Sequence, residues 1–250
     1  MLLNLMTWPE VETHLRNRVC VMLPIGSVEQ HGPMGLIGTD VICASEVAAR
    51  AGDLANAIVA PSISYTPAPF NTGFPGTVSI SAELLTALVQ QICTGLLDQG
   101  FMGVFIVNGH GANLAPIDAA QQMLPKGSVT VKSWWDPEPV GRLRRVLYGD
   151  WEGMHATPSE VAITQTLYGA KPLAEASHPP EPLSAQYIRD HSGDRHGPPK
   201  EHRETFPDGR VGSHSALASP EHGQKFLDLS SMAIAEEFQA FSRARRTATA

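Results

Sequence analysis

What most constrains this chain is an alternation. Short continuous apolar runs, each ending in glycine or a polar turn, are separated by longer segments with apolar residues at helical spacing. "RVCVMLPIG" (18–26) reads as a strand buried on both faces, and "DVICASEVAARAG" as the helix after it, stopping at Gly52. "AIVAPSISY" (57–65), "GVFIVNG" (103–109) and "SVTVKSWW" (128–135) read as further strands. Helices over "SAELLTALVQQICTGLLDQG" (81–100) and "NLAPIDAAQQML" (113–124) fall between them, the second with Asn113 as its expected cap. The order β-α-β-α-β-α-β predicts an α/β fold, a Rossmann-like, mainly parallel sheet with helices on both faces. At 250 residues and 42% hydrophobic, the chain can bury a core as one domain over 1–250.

Past the fourth strand the pattern changes. Thr157-Pro158-Ser159-Glu160 has the form of a helix start, with threonine at the cap, proline at the first helical position and glutamate three residues after the cap. Residues 178–214 are dense in His, Pro, Gly, Arg and Asp, and read as a long loop that forms a lid or an interface, or as a partly disordered one. A last helix is expected over Pro220 to Arg245.

Charge and cysteine usage exclude whole classes. The formal net charge is −7 and the only basic block is the short RARR at 243–246, which leaves no stripe to displace counterions from nucleic acid. The apolar start, "MLLNLMTWPEVETHLRN", is interrupted by Asn4 and by Pro9-Glu10 and has no basic leader or cleavage site, so it does not read as a signal peptide. No apolar run reaches membrane-span length, so no membrane partner is expected. Cys20, Cys43 and Cys93 lack metal-type spacing and read as buried thiols of a reducing, cytoplasmic location.

In an open parallel sheet, ligands bind outside the carboxyl ends of the strands, and two polar clusters fall on that edge. "GSVEQHG" follows the first strand and "NGHGAN" the third. Glu29 and His31 are two apart, so an extended segment turns both to one side, as paired ligands for a divalent ion or as a merely polar loop. Asp40 reads as a plain N-cap of the next helix or as a carboxylate bridging two ions. His110, between two glycines, reads as a ligand or as a histidine satisfied by backbone carbonyls. Glu160 is a capping-box glutamate or a ligand of a second ion, and His155 is an acid or base over the metals or a surface residue. There is no G-x-S-x-G elbow and no phosphate-binding G-x-x-x-x-G-K-[ST] loop, which disfavours serine hydrolases and NTPases.

"LPIGSVEQHGPMGLIGTD", "NTGFPGTVSI", "VNGHGAN" and "MHATPSEVAIT", in that order, resemble the creatininase (creatinine amidohydrolase) family over roughly residues 15–170, with a weaker match at "GSHSALASPEHGQKFLD". The resemblance implies a dinuclear site, zinc with manganese or iron, that hydrolyses a C–N bond in a small amide or cyclic amide, in a homo-oligomer that is commonly a hexamer. It implies metal ligation by Glu29, His31, Asp40, His110 and Glu160, with Asp40 bridging, and a proton-carrying role for His155. Creatinine-hydrolysing members carry an aromatic residue and a glutamate after Asn-Gly-His, where this chain has Gly111 and Ala112, and a glutamate before the active-site histidine, where it has Met154. Asn71 replaces the family's histidine ahead of Phe-Pro-Gly-Thr, while Trp151 matches an active-site tryptophan and Trp134 and Trp135 lie near the same edge. Gly111, Asn71 and Trp151 are therefore the expected substrate-facing positions. Relatives with a small residue after the histidine include enzymes acting on purine- and pyrimidine-derived amides and one that trims a modified peptide. The competing reading is a non-catalytic, metal-stabilised binding or regulatory protein on the same scaffold.

Overall fold

The computed structural model describes residues 1–17, 19–170 and 174–248; Arg18, at the start of the first expected strand, lies outside them. In chain order the main elements are α1 (Trp8–Leu15), β1 (Val21–Ile25), α2 (Thr39–Ala55), β2 (Ile58–Val59), α3 (Ala82–Asp98), β3 (Val104–Asn108), α4 (Leu114–Gln122), β4 (Val129–Ser133), α5 (Glu138–Leu147), α6 (Pro158–Tyr168), α7 (Ala185–Asp190), α8 (Pro199–Thr205) and α9 (Pro220–Ala248). The four strands pair in parallel in the order β2-β1-β3-β4, with Val21 opposite Val104 and Val104 opposite Val129. The chain leaves β1 toward one edge and returns on its other side, so the sheet's switch point lies between β1 and β3.

Strand alternation divides the core. Met22, Phe105 and Val107 face a layer built from α2, α5, α6 and α9, including Val47, Val140, Ile163 and Phe226. Val21, Leu23, Ile25, Val104 and Ile106 face α3 and α4 through Leu85, Val89 and Ile117, with Val11 and Leu15 of α1 at the margin. Both faces of the sheet are therefore covered, which is why its strands read as unbroken apolar runs.

Four local features differ from the sequence reading. Pro9 and Glu10 do not merely interrupt the apolar start: Thr7 and Glu10 form a capping box that opens α1. Gly52 does not stop α2, which runs on to Ala55 and ends at Asn56 in the left-handed region. A Cβ at Gly52 would strike the Val59 side chain, so this glycine lets helix and strand approach. The expected strand over 57–65 shrinks to Ile58–Val59, because Pro61 has no N–H to give a ladder, and Ile63 rejoins only as a bridge to Ile25. Residues 178–214 include two short helices, α7 and α8.

Two glycines bring the sheet edge and α2 together. A Cβ at Gly26, just past β1, would overlap the backbone of Asp40 and Val41, and one at Gly109, just past β3, would overlap the carbonyl of Asp40. Asn113 stands at the N-cap position of α4 but makes no side-chain cap. Its Nδ2 donates instead to the Gly26 carbonyl (3.0 Å) and to Asn108 Oδ1 (3.2 Å), tying the two strand ends together. Replacing Gly26 or Gly109 by alanine should cost about 1–3 kcal/mol of stability in denaturant titration, the range for overpacking a close contact. The same substitution should move Asp40 and weaken divalent-cation binding.

Candidate metal centre

Glu29, His31, Asp40, His110, His155 and Glu160 converge at the carboxyl end of the sheet, none more than 8% exposed. The loop after β1 carries Glu29 and His31, the first turn of α2 carries Asp40, and the turn after β3 carries His110. Asn108 holds that turn: its Oδ1 accepts from the His110 N–H (3.2 Å) and its Nδ2 donates to the His110 carbonyl (2.8 Å).

Each histidine has one nitrogen committed to backbone. The Nε2–H of His110 donates to the Pro67 carbonyl (2.9 Å), and the Nδ1–H of His31 donates to the Glu29 carbonyl (3.1 Å). A carbonyl only accepts, so these contacts fix the tautomers and aim the other nitrogens inward. His110 Nδ1 then lies 3.0 Å from Glu29 Oε1 and 3.2 Å from Asp40 Oδ2. His31 Nε2 lies 3.0 Å from Asp40 Oδ1 and 3.9 Å from Glu160 Oε1. Asp40 thus offers one oxygen to each histidine.

Three donor groups result, Glu29/Asp40/His110, His31/Asp40/Glu160 and Glu29/His31/His155, each with its atoms within 4.8 Å of one another. Glu29 Oε1 and Asp40 Oδ2 have no hydrogen-bond partner among the described residues. Buried carboxylate oxygens without donors, facing imidazole nitrogens that are themselves braced by carbonyls, are what a pair of divalent cations would satisfy. The donor chemistry fits such ions, and Asp40 is shared by two of the triads.

Protonation carries the same demand for positive charge. Burial opposes a charge on His31, but Asp40, Glu160 and Glu29 outweigh it and raise the ring to about 10. His110 is raised well above its ordinary range in the same way, burial being overcome by Glu29 and Asp40. Asp40 falls to about 2 because its two histidines outweigh its burial. Glu160 rises to about 7, mainly by burial, with Asp40 adding repulsion. His155 falls to about 3 through burial, so its ring is neutral.

Glu160 is a capping-box glutamate whose carboxylate also joins the donor cluster. Its Oε1 accepts from the Thr157 N–H (2.5 Å), closing the capping box of α6, and the same helix start brings the carboxylate beside His31. His155 is buried, not on the surface: its Nε2–H donates to the Gln30 carbonyl (2.7 Å) and its Nδ1 sits 3.7 Å from Glu29 Oε1. Asn71 lies beneath the cluster, donating to Glu29 Oε2 (2.9 Å) and accepting from Gln30 Nε2 (2.7 Å). A cavity of about 270 Å³ opens above, with Trp134, Trp135, Leu114 and Ile188 on its apolar side and Gly111 in its wall. Trp151 and Asn71 are not among its lining residues; the Trp151 ring packs on His214, 5.8 Å between centroids.

Two features escaped the sequence reading. Asp194, from the long segment before α8, reaches to 3.7 Å from His110 Nδ1. Glu152 is buried and accepts from Arg144 Nε (2.7 Å) and from Ser159 Oγ, two residues that line the cavity. Neither has a periodic or spacing signal; the Gly193-Asp194 pair amid histidines is the only local hint for the first.

A parallel α/β sheet with a buried carboxylate–imidazole cluster at its switch point defines the class. Residues 4–238 match the Creatininase family, described as creatinine amidohydrolase, and the chain belongs to that family of hydrolases. Creatinine amidohydrolase of Pseudomonas putida is 29% identical over 182 residues, 65% of this chain and 70% of that protein. A mycofactocin precursor peptide peptidase of Mycolicibacterium smegmatis is 36% identical over 110 residues, 42% of this chain and 44% of that one. A crystal structure of creatininase superposes with a TM-score of 0.78 at 25% identity, covering 96% of this chain and 97% of that one. Solved creatininases include a manganese form and a variant complexed with creatine.

A stability measurement follows from the charge pattern. With pKa raised to about 10, protonated His31 stabilises the metal-free fold below its ordinary 6.5, and that contribution is lost as pH rises through 10. Glu160, raised to about 7, builds its cost mainly below pH 7 and adds little beyond it. The Tm of chelator-stripped protein should therefore fall from pH 7 to pH 10. Protein loaded with divalent ions, whose charge does not titrate, should fall much less; parallel curves would contradict the charge account.

Proposed function

We propose that this chain hydrolyses a non-peptide C–N bond in a small amide or cyclic amide with two divalent ions, zinc with manganese or iron. The carrying observation is Asp40, with one oxygen turned to each of two backbone-braced histidines. In this reading Glu29, Asp40 and His110 hold one ion, and His31, Asp40 and Glu160 the other. Bound there, the ions supply an acidified water and a Lewis acid for the substrate carbonyl.

The chain's own groups do the rest. The cavity, near the lower end of small-molecule sites, admits a compact substrate. Trp134 and Trp135, packed edge to face with 5.7 Å between centroids, give an apolar corner against which a compact amide packs. His155 enters as the neutral ring, held at Nε2 by the Gln30 carbonyl, with the Nδ1 lone pair free to take a proton. In this reading the same nitrogen hands the proton on to the leaving nitrogen. Asn71 positions Glu29 and the Gln30 segment rather than touching substrate. With neither an aromatic residue at Gly111 nor a glutamate at Ala112 or Met154, the reading favours amides other than creatinine. Assembly as a homo-oligomer, a hexamer on the family's pattern, goes with it; exposed Leu5 and Trp8 offer contact surface, and light scattering reads the state directly.

Elemental analysis and a screen of cyclic, formyl and short peptide amides test the reading together. Wild type should carry close to two divalent ions per chain, and His110→Ala and His31→Ala about one each with turnover lost. His155→Gln should keep both ions and lower kcat by about 10²–10⁴. Stoichiometric metal with no turnover on any amide would favour the binding-protein reading, and turnover confined to peptides would move the substrate class.

A further inference from the structure

We propose that Asp194 supplies the carboxylate that this chain lacks at Ala112, reaching the ion site of Glu29, Asp40 and His110 through the space that Gly111 leaves. The proposal rests on the dinuclear reading above and adds a ligand from a different segment of the chain.

Three observations converge. Asp194 Oδ2 lies 3.7 Å from His110 Nδ1, the same atom that faces Glu29 Oε1 at 3.0 Å and Asp40 Oδ2 at 3.2 Å. Donors on a tetrahedral ion with bonds of ~2.1 Å stand roughly 3.4 Å apart; Glu29 and Asp40 meet that spacing around His110 Nδ1, and Asp194 stands just outside their group, within reach of the same nitrogen. The Asp194 side chain is only 11% exposed and lines the cavity over the metal centre, with Gly193 beside it.

Gly111 explains how it gets there. A Cβ at position 111 would overlap Asp194 Oδ2, while the backbone of Gly111 is not in the left-handed region and would accept alanine. The glycine therefore serves the carboxylate, not a turn. The first of the two departures after Asn-Gly-His thereby acquires a spatial reason: Asp194 occupies the volume that a side chain at 111 would need. The opposite side of Asp194 is braced, with His196 Nε2 3.8 Å from Oδ1 and the His196 ring packed on His202 (5.0 Å) and Phe70 (4.7 Å). Gly193 and Asp194 both have positive φ, a turn that a non-glycine residue adopts only at a cost, and it points the carboxylate inward. A simple ion pair with a protonated His110 would give the same contact without any role at the metal, and metal titration separates the two.

The test uses the whole protein, stripped with chelator and titrated with Mn²⁺ by calorimetry, with the visible spectrum of the Co²⁺-loaded form as a second readout. Wild type, Asp194→Asn and Gly111→Ala are compared. Wild type should bind two Mn²⁺. Asp194→Asn and Gly111→Ala should each weaken one of the two by at least about tenfold and change the Co²⁺ absorption, which a merely structural role would leave alone. Wild-type affinities and an unchanged Co²⁺ spectrum in both variants would overturn the proposal and leave the dinuclear reading standing. Failure of wild type to bind Mn²⁺ would overturn the dinuclear reading and this proposal with it. Should Asp194→Asn not fold, as judged by circular dichroism, Gly111→Ala decides alone, since its backbone is ordinary.

Discussion

Asp40 is the residue on which the rest of the site depends. A carboxylate in the first turn of α2 would ordinarily be a solvated partner for the helix dipole. Here the helix is drawn against the ends of β1 and β3 by two residues without side chains, Gly26 and Gly109, so Asp40 is buried between two imidazoles. Each of its oxygens faces one histidine, and each histidine is held from behind by a backbone carbonyl. The sheet's switch point thus becomes a place where negative charge is concentrated and cannot relax.

That concentration explains the protonation pattern. Buried Glu29, Asp40, Glu160 and Asp194 demand compensation, and in the metal-free protein the protons on His31 and His110 supply it. A pair of divalent ions would meet the same demand in full and would return the rings to the neutral form that ligates. His155 differs because its burial is not outweighed by Glu29, and the charge on neighbouring His31 opposes a second one, which leaves a neutral ring among charged ones. One cluster therefore contains both the groups suited to hold cations and a group suited to carry a proton between them.

Much of this was legible in the chain's own pattern, for identifiable reasons. Strands covered on both faces leave unbroken apolar runs, so β1, β3 and β4 stood out, and the order of strands and helices implied which loops share an edge. Glu29, His31 and His110 lie on those loops and Asp40 opens the helix that follows the first, and the motifs shared with creatininases marked Glu160 and His155. What was hidden depends on approach in space. Gly52 looked like a helix stop because its contact, Val59, is beyond the helix. Asn113 looked like a cap because its true partners, Gly26 and Asn108, are reached only when two strands lie side by side. Asp194 belongs to a segment with no apolar rhythm, and only the missing side chain of Gly111 admits it. Asn71 read as a substrate-facing position, yet its hydrogen bonds are spent on Glu29 and Gln30.

The most direct measurement is anomalous diffraction from crystals of the intact protein grown with Mn²⁺, recorded where manganese scatters anomalously. Two peaks per chain, one among Glu29, Asp40 and His110 and one among His31, Asp40 and Glu160, is the result this account requires. A single peak, or peaks that leave Asp40 bound to one ion or none, would contradict the shared carboxylate on which the account is built.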